Sequence, residues 1–116
     1  MRTTCHTDLT LDDYQERIAA FANNDLSPSI QLATMALGVA GEAGEVADLV
    51  KKHIGHGHPL DDSKLMDELG DVLWYIARLA DIRGFPLESV AQRNIRKLEK
   101  RYGEKFSVEA SINRKE

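Results

Sequence analysis

Four acidic residues fall into two pairs whose spacing can do chemistry. Glu42 and Glu45 stand three apart in GEAGEV, and Glu68 and Asp71 stand three apart in DELGDVLWY. On a helix, residues three apart share a face. At about 100° per residue, each pair falls along one edge of an apolar stripe. Packing the two stripes together brings four carboxylates to one rim. Such a rim repels itself unless cations neutralise it, and oxygen-only ligands suit hard divalent ions, Mg²⁺ or Mn²⁺. Mg²⁺ commonly takes one or two carboxylates with waters and substrate phosphates, so the pattern points to phosphate chemistry. Either pair alone reads as an ordinary solvated helix face; the repetition on consecutive helices favours a site. A complementary set follows in Asn94, Lys97 and Arg101, spaced i, i+3, i+7. One polar donor and two cations on a single helix edge suit phosphate oxygens, although a solvated basic edge would look the same.

Proline and glycine punctuate the elements that must carry these groups. Thr10 is a good N-cap, with Asp12 and Asp13 in the first turn and Leu11, Tyr14, Ile18 and Phe21 at helical spacing. Asn23-Asn24-Asp25 closes that helix. Ser27-Pro28 is a cap followed by proline at the first helical position, opening a long helix to about His53. Its stripe is Leu32, Met35, Ala36, Val39, Ala43, Val46 and Val50. Gly38, Gly41 and Gly44 lie inside it, each costing about 1 kcal/mol relative to alanine, which close helix approach or room for a ligand would explain. Residues 54–59 (IGHGHP) read as a loop. Asp61 or Asp62 starts a third helix, with Leu65, Leu69, Val72, Ile76, Leu79 and Ala80 on its buried side and Gly84 at its end. Pro86 opens a fourth helix through Leu87, Val90, Ala91, Ile95, Leu98 and Tyr102, ended by Gly103. The expected division is an N-terminal extension over 1–9, a domain over 10–103 and a polar tail over 104–116 anchored by Phe106. Four helices with short loops predict an all-α four-helix bundle, completed by oligomerisation.

Composition narrows the function classes. The chain has 116 residues, 42% of them hydrophobic and 29% charged, which suits one globular domain. The 19 acidic and 15 basic residues give a net charge of −4, which argues against a nucleic-acid binder held by phosphate contacts. No run approaches the roughly 20 apolar residues of a membrane span, and Met1–Thr10 has no signal-peptide core. Cys5 is the only cysteine and cannot form an internal disulfide, so a reduced, cytoplasmic setting is expected.

GEAGEV, DELGDVLWY and then RNIRKLEKRY, in that order, resemble the MazG-type all-α nucleoside triphosphate pyrophosphohydrolases. This superfamily also holds the dimeric dUTPases and phosphoribosyl-ATP pyrophosphohydrolase. The resemblance spans about Tyr14 to Phe106. The family pattern is EExxE, a spacer, then ExxD; here Gly41 stands at the first acidic position, a mark of subtype that leaves one fewer carboxylate. The resemblance implies Glu42, Glu45, Glu68 and Asp71 as Mg²⁺ ligands, with Glu42 or Glu45 positioning or deprotonating water. It implies Tyr75 near the nucleotide, Asn94, Lys97 and Arg101 at the phosphates, Lys51 and Lys52 as weaker candidates there, and Gln15 toward the base. The implied reaction cleaves a (d)NTP between the α- and β-phosphates, giving (d)NMP and pyrophosphate, as in nucleotide-pool cleansing. A homodimer or homotetramer is the implied assembly.

Two other readings compete. Phosphoribosyl-ATP hydrolysis is the nearest, and a non-catalytic nucleotide-binding or helical interaction module is kept open by Gly41. A ferritin-like di-metal bundle needs Glu-x-x-His motifs that neither acidic pair has. His53, His56 and His58 complete no familiar zinc pattern and read as polar loop residues. Trp74 lies opposite Leu65, Leu69 and Ile76, and burial between subunits accounts for it.

Overall fold

Local capping signals decide where each helix starts and stops. In the computed structural model, residues 8–114 are described, so Cys5 and nearly all of the expected N-terminal extension lie outside the described residues. Helix α1 (Leu11–Ile18) opens with a capping box: the Thr10 hydroxyl accepts from the Asp13 amide at 3.0 Å and Asp13 accepts from the Thr10 amide at 3.3 Å. A short 3₁₀ turn, Ala19–Phe21, ends it. Helix α2 (Pro28–His56) begins under the Ser27 hydroxyl, which accepts from the Ile30 amide at 3.4 Å. It runs three residues further than the sequence pattern predicted. Nothing in Ile54–His56 forbids helical backbone, and the stop comes at Gly57, whose φ of 70° is left-handed. The His58 amide closes the end onto the Lys52 carbonyl at 3.1 Å, and His53 Nδ1 pairs with the His58 carbonyl at 2.7 Å.

Helix α3 (Asp62–Arg83) starts at Asp61, whose carboxylate accepts from the Ser63 and Lys64 amides at 2.9 and 3.3 Å. Gly84, at φ 78°, turns the chain into α4 (Leu87–Tyr102). The expected aperiodic tail contains a further helix, α5 (Val108–Ile112), nucleated where the Ser107 hydroxyl accepts from the Ala110 amide at 3.1 Å. The Phe106 ring lies 5.2 Å from that of Tyr102, while the side chain is 65% exposed. No strand occurs among the described residues. The architecture is all-α, with five α-helices among the described residues, none of them long and apolar enough to cross a membrane.

Helices α2 and α3 form an antiparallel hairpin that dominates the packing, while α1 braces the far end of α3 and the start of α4. The core is thin. Among the described residues, Met35, Ala77, Ala80 and Leu87 are the buried apolar ones, and no large side chain is fully enclosed. Leu69, expected on the buried side of α3, is 50% exposed, because the closest packing centres on Ala77 and Ala80 instead. The exposed surface is 9169 Å², against about 6,300 Å² for a compact monomer of 13.0 kDa. The radius of gyration is 17.2 Å, where about 13 Å is usual for this length.

Candidate metal and nucleotide site

The acidic pairs meet halfway along the hairpin. Because α2 and α3 run antiparallel, Glu42 faces the Glu68–Asp71 turn. One carboxylate oxygen from each of Glu42, Glu68 and Asp71 lies within 4.8 Å of the others. Ligand oxygens held at about 2.1 Å from Mg²⁺ are about 3 to 4.2 Å apart, so small rotamer changes would close these three around one ion. Glu42 and Glu68 are half-buried and Asp71 is exposed. Glu45 is exposed and stands at the edge of the trio, close enough for its charge to act on Glu68.

Glu68 carries the electrostatic cost of this arrangement. Partial burial raises its pKa first, and the charges of Asp71, Glu42 and Glu45 and a hydrogen bond with Glu42 raise it further. Every charge acting on it is acidic. Carboxylates crowded together in this way have the chemistry of a cation site, where a bound positive charge would offset their repulsion.

The surrounding side chains sort into neighbours and bystanders. Tyr75, one turn beyond Asp71, lies across α2 at Gly38; a Cβ built there would overlap the Tyr75 ring, with Cγ only 2.7 Å away. This explains one glycine of α2, whereas a Cβ at Gly41 or Gly44 would meet nothing within 4 Å. Trp74 is half-buried within its own chain and meets Tyr75 edge-on, ring centroids 4.9 Å apart. Tyr14 of α1 also reaches this region: burial and then the charge of Asp71 raise the pKa of its phenol. Sequence reasoning counted Tyr14 only as an apolar-face residue, since nothing in its spacing announces proximity to α3.

Other expected site residues have different partners. Both polar ends of the Gln15 amide are used by the α3–α4 turn: Nε2 donates to the Phe85 carbonyl at 3.1 Å and Oε1 accepts from the Leu87 amide at 2.7 Å. Gln15 is 8% exposed, and both polar ends of its amide clasp that turn. Lys51 and Lys52 both pair with Asp48, at 3.1 and 2.8 Å. Those pairings lower the Asp48 pKa and raise that of Lys52. Asn94 and Lys97 line a cleft of about 480 Å³ on α4 together with Arg93, Arg96 and Lys100. Arg101 is half-buried, its guanidinium 5.9 Å from the Tyr102 ring centroid. Helix α4 packs on α1, α3 and α5. His56 and His58 meet edge-on, ring centroids 6.4 Å apart.

Comparison with known proteins follows the same boundaries. Residues 31–106, from the first turn of α2 to just beyond α4, match the MazG nucleotide pyrophosphohydrolase domain. A relative, the gene 37 protein of Mycobacterium phage L5, is 40% identical over 74 residues, covering 60% of this chain and 65% of that protein. The chain therefore spans about two-thirds of that relative's length at most. No solved structure matches.

Proposed function

The chain belongs to the MazG nucleotide pyrophosphohydrolase family, and on that footing we propose that it hydrolyses nucleoside triphosphates between the α- and β-phosphates with Mg²⁺. The observation that carries this reading is the convergence of Glu42, Glu68 and Asp71 within 4.8 Å. Those three residues would hold the ion, and their mutual repulsion is what its charge would relieve. When bound, a divalent ion neutralises triphosphate oxygens and lowers the pKa of a water to be activated.

The protein's own groups do the rest. Glu45, exposed beside the trio, orients the attacking water and takes its proton. Tyr75, held flat against Gly38, provides an aromatic wall next to Asp71. Asn94, Lys97 and Arg101 hold the phosphates and steady the charge that builds on pyrophosphate as it leaves. Positioning and charge neutralisation suffice for such a transfer, so no covalent nucleophile is required. The products are a nucleoside monophosphate and pyrophosphate. The unclosed core and the excess exposed surface favour a homo-oligomer as the working form.

A panel of standard and damaged (d)NTPs with Mg²⁺, scored for pyrophosphate, tests this against Glu68→Ala and Asp71→Ala. Turnover lost in both variants supports the assignment, and turnover surviving in both removes it. Binding without turnover by the unaltered protein would favour a nucleotide-binding module.

A further inference from the structure

We infer that Arg78 reads the nucleobase: its buried guanidinium takes two adjacent acceptors on the base and so sets which nucleotides the site prefers. The inference rests on the pyrophosphohydrolase reading and adds to it the recognition of the base. Among the described residues, Gln15 and Arg78 are the buried polar or charged ones. Gln15 spends both ends of its amide on the backbone at Phe85 and Leu87. Arg78 is 7% exposed and less well served. Its Nη1 donates to Asp81 at 2.7 Å, whereas Nε is shut away from solvent with no hydrogen-bond partner. A guanidinium cannot shed its charge to ease burial, and a buried donor without a partner carries its full desolvation cost. An apolar side chain beside Ala77 and Ala80 would avoid that cost. A ligand that brings acceptors to the group accounts for it.

The position along α3 says which part of the ligand this is. At 1.5 Å and about 100° per residue, Tyr75 and Arg78 stand about 6 Å and 10.5 Å beyond Asp71, within about 40° of it around the axis. Asp71, Tyr75 and Arg78 thus follow one edge of the helix, with Glu68 behind them. In the other direction the same edge carries Lys64, an exposed cation suited to the outer phosphates. With the phosphates held at Glu68 and Asp71, sugar and base follow in that order, the sugar at Tyr75 and the base at Arg78. Asp81, the ion-pair partner of Arg78, lines a cleft of about 380 Å³ between α1 and the Gly84 turn, so space for a ring lies beside the pair.

The donor geometry selects among bases. Nε–H and a neighbouring Nη–H are parallel donors in one rigid plane, and they pair best with two acceptors side by side. Guanine offers O6 with N7, and cytosine offers N3 with O2. Adenine sets an amino donor beside N7, and thymine sets a donor N3–H between its two oxygens. The fork therefore favours guanine and cytosine nucleotides over adenine and thymine ones.

Equilibrium binding tests this without turnover. The full chain is titrated by calorimetry, with Mg²⁺, against the α,β-methylene analogues of dGTP, dCTP, dATP and dTTP, whose α–β bridge cannot be hydrolysed. The dGTP and dCTP analogues should bind about tenfold or more tighter than the other two. Arg78→Met, which removes the donors, should abolish that preference. Arg78→Lys should abolish it too, since it keeps the charge without the fork, and this variant decides the matter if Arg78→Met does not fold. Asp81→Ala breaks the same ion pair and leaves Nε, so it should lower the melting temperature and keep the preference. Equal affinities for the four analogues in the unaltered chain overturn the inference. A preference that survives Arg78→Lys, or one lost equally in Asp81→Ala, overturns it as well, because packing rather than the fork would then be its source. The preference in a chain that hydrolyses no nucleotide overturns the reading of the reaction and supports the inference. Equal affinities in an active enzyme overturn the inference alone, and no binding of any analogue overturns both.

Discussion

Replacing Gly38 by alanine separates helix propensity from site geometry, because the two push stability in opposite directions. Alanine in a helix interior is worth about 1 kcal/mol over glycine. At Gly41 and Gly44 a Cβ meets nothing within 4 Å, so within one chain that gain should appear nearly whole. At Gly38 the new Cβ overlaps the Tyr75 ring, whose Cγ is 2.7 Å away and whose nearer edge is closer still. A ring face cannot bend aside as a lysine tip can, so either Tyr75 leaves its rotamer or the hairpin opens. Overpacking of this kind costs about 1–3 kcal/mol. Gly38→Ala should therefore come out between neutral and about 2 kcal/mol destabilised, and below Gly41→Ala by the overlap cost alone. At about 4–8 °C per kcal/mol for a domain near this size, the two melting temperatures should differ by about 4 °C or more. Differential scanning calorimetry of the two variants reads the gap. Adding Tyr75→Ala to Gly38→Ala should return the missing propensity gain, and a double-mutant cycle isolates the pair. Gly38→Ala as stable as Gly41→Ala, with unchanged KM for nucleotide, would refute the close approach of Tyr75 to α2.

The other predictions concern the groups around that hairpin. Gln15→Ala strips a buried clasp of both its hydrogen bonds and should cost about 2 kcal/mol, read from the urea midpoint, while discrimination between bases stays unchanged. Asp81→Ala leaves the Arg78 guanidinium, 8% exposed, without its 2.7 Å partner; because Asp81 is itself 27% exposed, a loss of about 2 kcal/mol is expected rather than the full cost of breaking a buried pair. The raised pKa of Glu68 fixes a sign. Its contribution to stability is present below the ordinary glutamate pKa of about 4.3 and is lost as pH rises through the higher folded value. The contribution of Glu68 to the melting temperature of the metal-free protein should therefore grow on acidification toward the ordinary glutamate range, and Glu68→Gln should remove it. At pH 7.5, Mg²⁺ at a hundred times Kd should stabilise the unaltered protein by about 2.7 kcal/mol, read as a raised melting temperature, and leave Glu68→Gln nearly unmoved.

How much of this was legible in the sequence depends on how local each signal was. Helix starts at Thr10, Ser27 and Asp61, and stops at Gly84 and Gly103, are written in single residues, and the structure places them there. The end of α2 was set three residues early because Gly55 looks like a breaker, yet only Gly57 adopts left-handed backbone. Helix α5 was hidden because five residues are too few to show a period, and only the Ser107 cap announced it. The meeting of Glu42 with Glu68 and Asp71 followed from helical spacing plus the antiparallel hairpin. For Gln15 the residue type alone is ambiguous, since a glutamine amide suits a nucleobase and a backbone turn equally well, and its two ends meet the backbone at Phe85 and Leu87. The buried Arg78 and the approach of Tyr14 to Asp71 are tertiary facts with no local signature.

The claim that most needs a direct answer is the bond that breaks. Phosphorus NMR of a single nucleoside triphosphate after turnover with Mg²⁺ distinguishes the alternatives without labels or coupling enzymes. The account predicts a nucleoside monophosphate signal growing with a pyrophosphate singlet, both absent with Asp71→Ala. Nucleoside diphosphate growing with orthophosphate would contradict it.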